Sequence, residues 1–251
     1  DIDFVIAIFS KGQYQKALDE ALEIMKRSQQ NAILHNITGA CYMQLGKLNS
    51  AVNSFNDAIT IKPDYAKAHY NLGAAYHELN MYKESEKSYR NSISFDPTYA
   101  QAHNNLGNVL KDDGQYSDAI LSYENAINLN PNYVEAHYSL AKIYQDSCQY
   151  DLIIEHMVKV ISLRPDLAEA HNIIGLGFYE LGQLKEALLA FQKAVELNTA
   201  YSEAYNNQGN TFKALGKTKE AVKSYQNALK INPDFPALHN NLGNAFKELG
   251  K

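Results

Sequence analysis

Apolar and small residues recur along the chain at helical spacing. In residues 100–113, Ala102, Leu106, Gly107, Val109 and Leu110 fall on one broad face of a helix advancing about 100° per residue. Gln101, Asn104, Asn105, Asn108, Lys111 and Asp112 fall on the other. A second apolar set follows at Ala119, Tyr123 and Ala126, and the same triplet of small, aromatic and small residues returns at Ala51, Phe55, Ala58 and at Ala187, Phe191, Ala194. Between the two sets the chain turns, often at a Leu-Gly pair such as Leu45-Gly46, Leu181-Gly182 or Leu215-Gly216. Glycine suits a helix end because it adopts positive φ without strain. After the second set, proline stops the helix. An Asp or Asn after the proline is the candidate cap of the next helix. The pattern therefore predicts pairs of short helices and no strands.

The pairs are periodic. Prolines stand at 63, 97, 131, 165 and 233, successively 34, 34, 34 and 68 residues apart, and the missing member of the series is Thr199. The text around them repeats as KPDYAKAHYNLG, DPTYAQAHNNLG, NPNYVEAHYSLA, RPDLAEAHNIIG, NTAYSEAYNNQG and NPDFPALHNNLG. A period of this length across the whole chain means a repeat array, not a globular domain around one central site.

These repeats resemble the tetratricopeptide repeat (TPR) family. Counting positions 1–34 from residues 32, 66, 100, 134, 168 and 202, the matching positions are small residues at position 8 (Gly39, Gly73, Gly107, Ala141, Gly175, Gly209, Gly243), Ala at 20, an aromatic at 24, Ala at 27 and Pro at 32. The resemblance covers essentially the whole chain. It implies an all-α fold, an α-solenoid of antiparallel helix pairs wound as a right-handed superhelix, with a concave groove lined mainly by the first helix of each pair. The expected organisation is one array over 1–251. It has a partial repeat at 1–31 and full repeats at 32–65, 66–99, 100–133, 134–167, 168–201 and 202–235. The first helix of a further repeat lies at 236–251, for about 15 helices in all. Because the array starts and stops inside repeats, the chain is expected to be a piece of a longer protein.

Asparagine, a poor helix former, is placed three times as a cluster on the non-packing face. The clusters are Asn104, Asn105, Asn108; Asn206, Asn207, Asn210; and Asn240, Asn241, Asn244, with Asn71 at the equivalent of Asn105. Stacking brings equivalent positions of neighbouring repeats to about 10 Å. An amide carries both donors and an acceptor, so a row of them can hold an extended peptide backbone. Asn71, Asn105, Asn207 and Asn241 are similar to the asparagine ladder of the TPR arm of O-GlcNAc transferases, while Ser139 and Ile173 interrupt it. That similarity implies a peptide-gripping groove, to which Tyr70, Tyr138 and Tyr179 would add aromatic contacts. Lysine is absent from position 5, and no basic residue occurs at position 6, so the family's clamp for acidic C-termini is not expected. With these asparagines facing free surface, changing Asn105, Asn108, Asn207, Asn210, Asn241 and Asn244 together to alanine is expected to leave the fold intact or firmer.

Charge adds a preference. Glu135, Glu169 and Glu203 occupy position 2 in consecutive repeats, and Asp112, Asp146 and Glu180 occupy position 13, tempered by Lys111, Lys142, Lys213 and Lys247. A basic or neutral protein or peptide partner is favoured over an acidic one. A net charge of −5 argues against nucleic acid, and no apolar run approaches the roughly 18 residues of a membrane helix. Two distant cysteines, Cys41 and Cys148, fit a reducing, cytoplasmic compartment. Histidines at position 4 (His35, His69, His103, His137, His171, His239) look like a metal array. Neighbours about 10 Å apart cannot share an ion whose ligands sit near 2 Å, so they are expected to pack. No catalytic set, cofactor loop or metal site emerges. The repeat at 134–167 departs most, with Cys148 for the usual Gly, Ile153 and Val160 for Ala, and Met157 for the aromatic, which suggests compensated repacking. The function expected is a non-catalytic interaction scaffold. The alternatives are the substrate-recruiting arm of a glycosyltransferase or sulfotransferase fusion, and an array that self-associates through its uncapped terminal helix.

Overall fold

The computed structural model describes residues 2–27, 30–234 and 236–250. Among them lie fifteen α-helices and no strand, in two compact units, Asp1–Pro131 and Asn132–Lys251. The first unit holds α1 (Ile2–Ser10), α2 (Tyr14–Met25), α3 (Ala32–Gln44), α4 (Leu48–Ile61), α5 (Ala66–Glu78), α6 (Tyr82–Phe95), α7 (Ala100–Asp112) and α8 (Tyr116–Leu129). The second holds α9 (Val134–Asp146), α10 (Tyr150–Leu163), α11 (Ala168–Glu180), α12 (Leu184–Leu197), α13 (Ser202–Ala214), α14 (Thr218–Ile231) and α15 (Pro236–Glu248). Within each unit every helix packs on the next, and odd-numbered helices also touch the odd-numbered helix that follows. Each unit is thus a stack of antiparallel hairpins, with the first helices forming one layer and the second helices the other.

One contact sets the hairpin spacing. The ring at position 24 lies flat against the backbone of position 8. A Cβ added to Gly107 would stand 2.7 Å from Tyr123 Cε1, and one added to Gly39 or Gly209 would stand 2.5 Å from Phe55 or Tyr225. The small residues at positions 20 and 27, such as Ala51, Ala58, Ala119, Ala126, Ala187 and Ala194, are fully buried beside these rings. In α6 serines stand there, and Ser85 Oγ donates to the Gly73 carbonyl at 2.7 Å. The repeat at 134–167 is repacked as its sequence suggests. Met157 replaces the ring, Ala141 replaces the glycine, and Ile153 and Val160 fill the neighbouring space, all fully buried. A flexible thioether needs less room at position 8 than a flat ring does.

Helix ends differ from expectation at one end and match it at the other. The first helix of each pair closes through a left-handed residue, as at Gly46 (φ 71°), where the Gly46 N–H donates to Met43 O and the Lys47 N–H to Tyr42 O, both at 2.9 Å. Asn80 and Cys148 hold the same conformation at φ 58° and 57°, at a cost of about 1–2 kcal/mol each for a residue with a Cβ. The residues after proline do not cap the next helix. Its N-cap is Tyr65, Tyr99, Tyr133, Leu167 or Tyr201, none with a side-chain cap bond. Among the described N-caps only Asn31 caps in the ordinary way, accepting from the N–H groups of Ile33 and Leu34.

The position-4 histidines tie this junction instead. His69 Nε2 donates to the Pro63 carbonyl at 2.9 Å, and His103, His171 and His239 reach Pro97, Pro165 and Pro233 at 3.1, 3.1 and 2.8 Å. Proline has no N–H, but its carbonyl remains an acceptor, and the histidine four residues into the next helix satisfies it.

The ring–glycine contact gives a direct test. Gly107→Ala is expected to lower stability by about 1–3 kcal/mol, because the new methyl overlaps Tyr123. Ala141→Gly, facing Met157, should lose only about 0.5–1 kcal/mol. Urea unfolding followed by circular dichroism measures both.

Candidate functional site

The asparagines are joined to one another before they meet any partner. Asn71 Nδ2 donates to Asn36 Oδ1 at 2.9 Å, Asn207 Nδ2 to Asn172 Oδ1 at 3.1 Å, and Asn241 Nδ2 to Asn206 Oδ1 at 2.9 Å. Asn105 Nδ2 donates to the hydroxyl of Tyr70, also at 2.9 Å. Every one of these pairs is 35 residues apart and runs from position 6 back to position 5 of the preceding repeat. Two helical turns further on, the same seam carries charge. His77 Nε2 donates to Asp112 Oδ2 at 2.9 Å, and Lys213 Nζ lies 3.1 Å from Glu248 Oε1. The first helices are therefore laced side to side.

A second layer comes from the core. Tyr123 and Tyr225, fully buried at position 24, donate their hydroxyls to Asn108 Oδ1 and Asn210 Oδ1, each at 2.8 Å. A buried hydroxyl needs a partner, and the amide at position 9 supplies it through the gap left by the glycine at position 8. Where position 24 has no hydroxyl, position 9 is not asparagine: Phe55 goes with Ala40, Phe191 with Leu176, and Met157 with Lys142. Tyr89 faces Ala74, and its hydroxyl lies 3.5 Å from Asn105 Nδ2 instead. Burial pushes the Tyr225 hydroxyl up to about 12 and also raises that of Tyr89. The signal of this pairing in the sequence is the choice of Tyr or Phe at position 24, beyond the packing role of the ring.

The expected site residues divide accordingly. Asn104 does not face open surface: it is only 4% exposed, and its Nδ2 donates to Asn105 Oδ1 at 3.1 Å. Asn36 and Asn172, at the same position 5, are buried as well. These are seam residues between first helices. Asn105 has both N–H groups and its oxygen engaged. Asn71, Asn108, Asn206, Asn207, Asn210 and Asn241 are half-buried, and Asn240 and Asn244 are exposed. The seam reverses the expectation that alanines would leave the stack as firm as before. The helix-propensity gain, up to about 0.7 kcal/mol per site, is outweighed by about 1–3 kcal/mol for each buried group left unpaired.

The tyrosines and glutamates form a polar patch in the second unit. Tyr138 is half-buried and its hydroxyl is bonded to Glu169, with burial first and that carboxylate second holding its titration well above the usual phenol range. Asn172 Nδ2 is shared between Tyr201 OH at 3.2 Å and Glu203 Oε1 at 3.3 Å. Burial, then the charges of Glu203 and Glu169, push Tyr201 up to about 12. Glu135, Glu169 and Glu203 are exposed. In the first unit Tyr70 stacks near Tyr89 and Tyr99, at ring separations of 5.6 and 4.8 Å. Tyr179 is half-buried on α11. The first unit also has a groove of about 540 Å³ along α1, α3 and α5, reaching Phe9, Ile37, Met43, Tyr65, Tyr70 and Asn71.

The repacked repeat holds one more unusual pair. His137 Nδ1 lies 2.9 Å from His156 Nδ1, so one ring donates and the other accepts. Tyr144 stacks on His156 at 5.7 Å. Burial first, then the neighbouring His137, lowers the pKa of His156. Among the described residues no three His, Cys, Asp or Glu gather as a metal site, and no helix is long and apolar enough to cross a membrane.

A stack of two-helix repeats, with small residues facing rings and a side-to-side lacing of first helices, defines a helical-repeat scaffold. The family profile described as TPR repeat matches residues 39–80, 107–147, 175–216 and 209–250, together more than half of the chain. Two profiles described as tetratricopeptide repeat match 66–99 and 88–120. The chain belongs to the tetratricopeptide repeat family. Among solved structures it is similar to the C-terminal part of a TPR repeat-containing protein from Cytophaga hutchinsonii, with TM-score 0.79 and 16% identity, covering 96% of this chain and 99% of that one. It is similar to MamA, with TM-score 0.61 and 25% identity over 68% of this chain and 94% of that one. It also resembles a chain of the Cut9–Hcn1 hetero-tetramer of the APC/C, with TM-score 0.65 and 14% identity, over 96% of this chain and 48% of that one. Among curated proteins it matches anaphase-promoting complex subunit 3 of Dictyostelium discoideum, 34% identical over 56 residues, which is 22% of this chain and 6% of that protein.

Two outcomes follow from the buried pairs. Asn108→Ala is expected to cost more than Tyr123→Phe, about 1–3 against about 0.5–1.5 kcal/mol, because only the first leaves a buried hydroxyl unpaired. The double variant should cost less than the sum, as read by a double-mutant cycle in urea. For His156 the folded pKa lies below the unfolded value of about 6.5, so its contribution is whole above that value and lost as pH falls through it. The urea midpoint should therefore drop between about pH 7.5 and about pH 5.5, and drop less in His156→Gln.

Proposed function

We propose that this chain captures an extended peptide segment along its first-helix layer, with asparagine amides gripping the peptide backbone. The observation that carries this reading is the hydrogen-bonding capacity left after the seam is made. Asn108 and Asn210 are fixed through their oxygens by Tyr123 and Tyr225. Their N–H groups take no partner among the described residues and are oriented as donors to peptide carbonyls. Asn71 and Asn207 each spend one N–H on the preceding repeat and keep an oxygen and an N–H. Asn240 and Asn244 are exposed. The resemblance of Asn71, Asn105, Asn207 and Asn241 to the ladder of O-GlcNAc transferase arms, interrupted at Ser139 and Ile173, supports the same reading. The exposed row of Glu135, Glu169 and Glu203 gives the second unit a preference for basic or neutral segments. Since Asn104 and Asn105 serve the stack, fewer amides are left for a ligand than the asparagine clusters contain.

The test separates grip from stability. Peptides selected from a random library on the wild-type chain should bind Asn108→Ala/Asn210→Ala about tenfold more weakly, the loss of two modest hydrogen bonds. Tyr123→Phe/Tyr225→Phe weakens the same stack and keeps the amides but frees them from their anchor, and should bind between the two, about threefold more weakly than wild type. Equal affinities for wild type and the alanine pair would defeat the proposal.

A further inference from the structure

The first unit carries a chemistry that the asparagine grip does not explain. The third helix, α3, is apolar on two faces. Leu34 and Cys41 are buried in the core with Val5, Ile8 and Leu18. Ile33 and Ile37 lie to one side of these and line the groove along α1, α3 and α5. Helices of a half-buried layer are ordinarily polar on their outer side, and position 2 and position 6, held here by isoleucine, are glutamate and asparagine in the repeat at 202–235. Ile33 is 46% exposed and Ile6, beside it on α1, is 43% exposed. The floor is firm: Phe9 and Ile37 pack against the core below. At about 540 Å³ the groove is of the size that takes one or two large side chains with their backbone.

Its rim is specific in two further ways. Lys67, exposed on α5, is the one charged side chain among the described residues that line the groove. Asn71, one turn along the same helix, has one N–H bound to Asn36 and keeps its oxygen and second N–H facing that space. An apolar floor, one peptide-pairing amide and one cation on the rim complement an extended segment of a particular kind. We infer that this groove is a subsite for a peptide carrying a large apolar side chain next to an acidic one. The apolar side chain seats over Phe9 and Ile37, the backbone pairs with Asn71, and the carboxylate faces Lys67. The inference rests on the peptide-capture reading above and sharpens it, because the second unit's glutamates favour the opposite charge.

Site-resolved NMR of the whole chain, labelled at isoleucine δ1 methyls, tests it with defined probes. These are three blocked Gly/Ser decapeptides with a central Phe-Glu, Phe-Lys or Ser-Glu pair. Phe-Glu is expected to shift the methyls of Ile6, Ile33 and Ile37 saturably, with Phe-Lys about fivefold weaker, the scale of one exposed ion pair, and Ser-Glu giving no saturable shift. Lys67→Glu, an exposed change that leaves the floor intact, should reverse the order of the two Phe peptides. Phe-Lys binding as well as Phe-Glu, or an order unchanged by Lys67→Glu, overturns the subsite. Shifts confined to Ile173 and Ile174 of α11 also overturn it while leaving peptide capture standing. No methyl response to any probe overturns it too, and the library selection above then decides peptide capture separately.

Discussion

The flat approach of an aromatic ring to a residue without a side chain governs this molecule. At Gly107 and Tyr123, or Gly209 and Tyr225, there is no room for a Cβ between backbone and ring. That distance brings the two helices of a hairpin close, buries the ring completely, and leaves a ring hydroxyl emerging beside position 9. The hydroxyl cannot be left alone in the core, and the amide that answers it is the same amide that faces the surface. Core packing thus orients surface chemistry through a single hydrogen bond. The repeat at 134–167 shows the converse. Without a ring there is no hydroxyl, and position 9 is Lys142.

Much of the fold was legible in the sequence because its determinants are local and repeated. Prolines 34 residues apart, the glycine at the turn and the two apolar stripes specify hairpins without knowledge of anything distant. The helical wheel failed at Asn104 for a definite reason. It places a residue relative to its own helix and the partner in its own hairpin, and Asn104 does lie away from both. What buries Asn36, Asn104 and Asn172 is the lateral packing of first helices, which the 35-residue pairs at Asn36–Asn71 and Asn172–Asn207 make visible. The candidate caps failed differently. Asp and Asn after proline are common turn residues, and here the turn ends one residue later, at Tyr65 or Tyr133, with the junction fixed by a histidine on a proline carbonyl where such a bond is seen.

The surface chemistry is not uniform. The first unit offers Ile6, Ile33 and Ile37 with Lys67 beside them, and the second offers Tyr138 bonded to Glu169, and Asn172 shared between Tyr201 and Glu203. Both arise from substitutions at positions 2, 5 and 6, which the hairpin core does not constrain. The repeat scaffold holds these positions at fixed spacing while leaving their identity open. This is how one architecture carries different preferences along its length.

The lateral pairs have a consequence for how such a chain can be lengthened or shortened. A repeat with asparagine at both position 5 and position 6, as at Asn206 and Asn207, accepts a bond from the repeat that follows and donates one to the repeat that precedes. It is plug and socket at once, and copying it in tandem would preserve the amide joint. The repeat beginning at 168 is asymmetric: Asn172 receives Asn207, but Ile173 has nothing to give backwards. Duplication of that unit alone would leave the buried Asn172 oxygen of the upstream copy facing an isoleucine. Gain and loss of whole repeats is therefore not neutral along the array, and the Asn-Asn dipeptide marks the units that recombination can move freely.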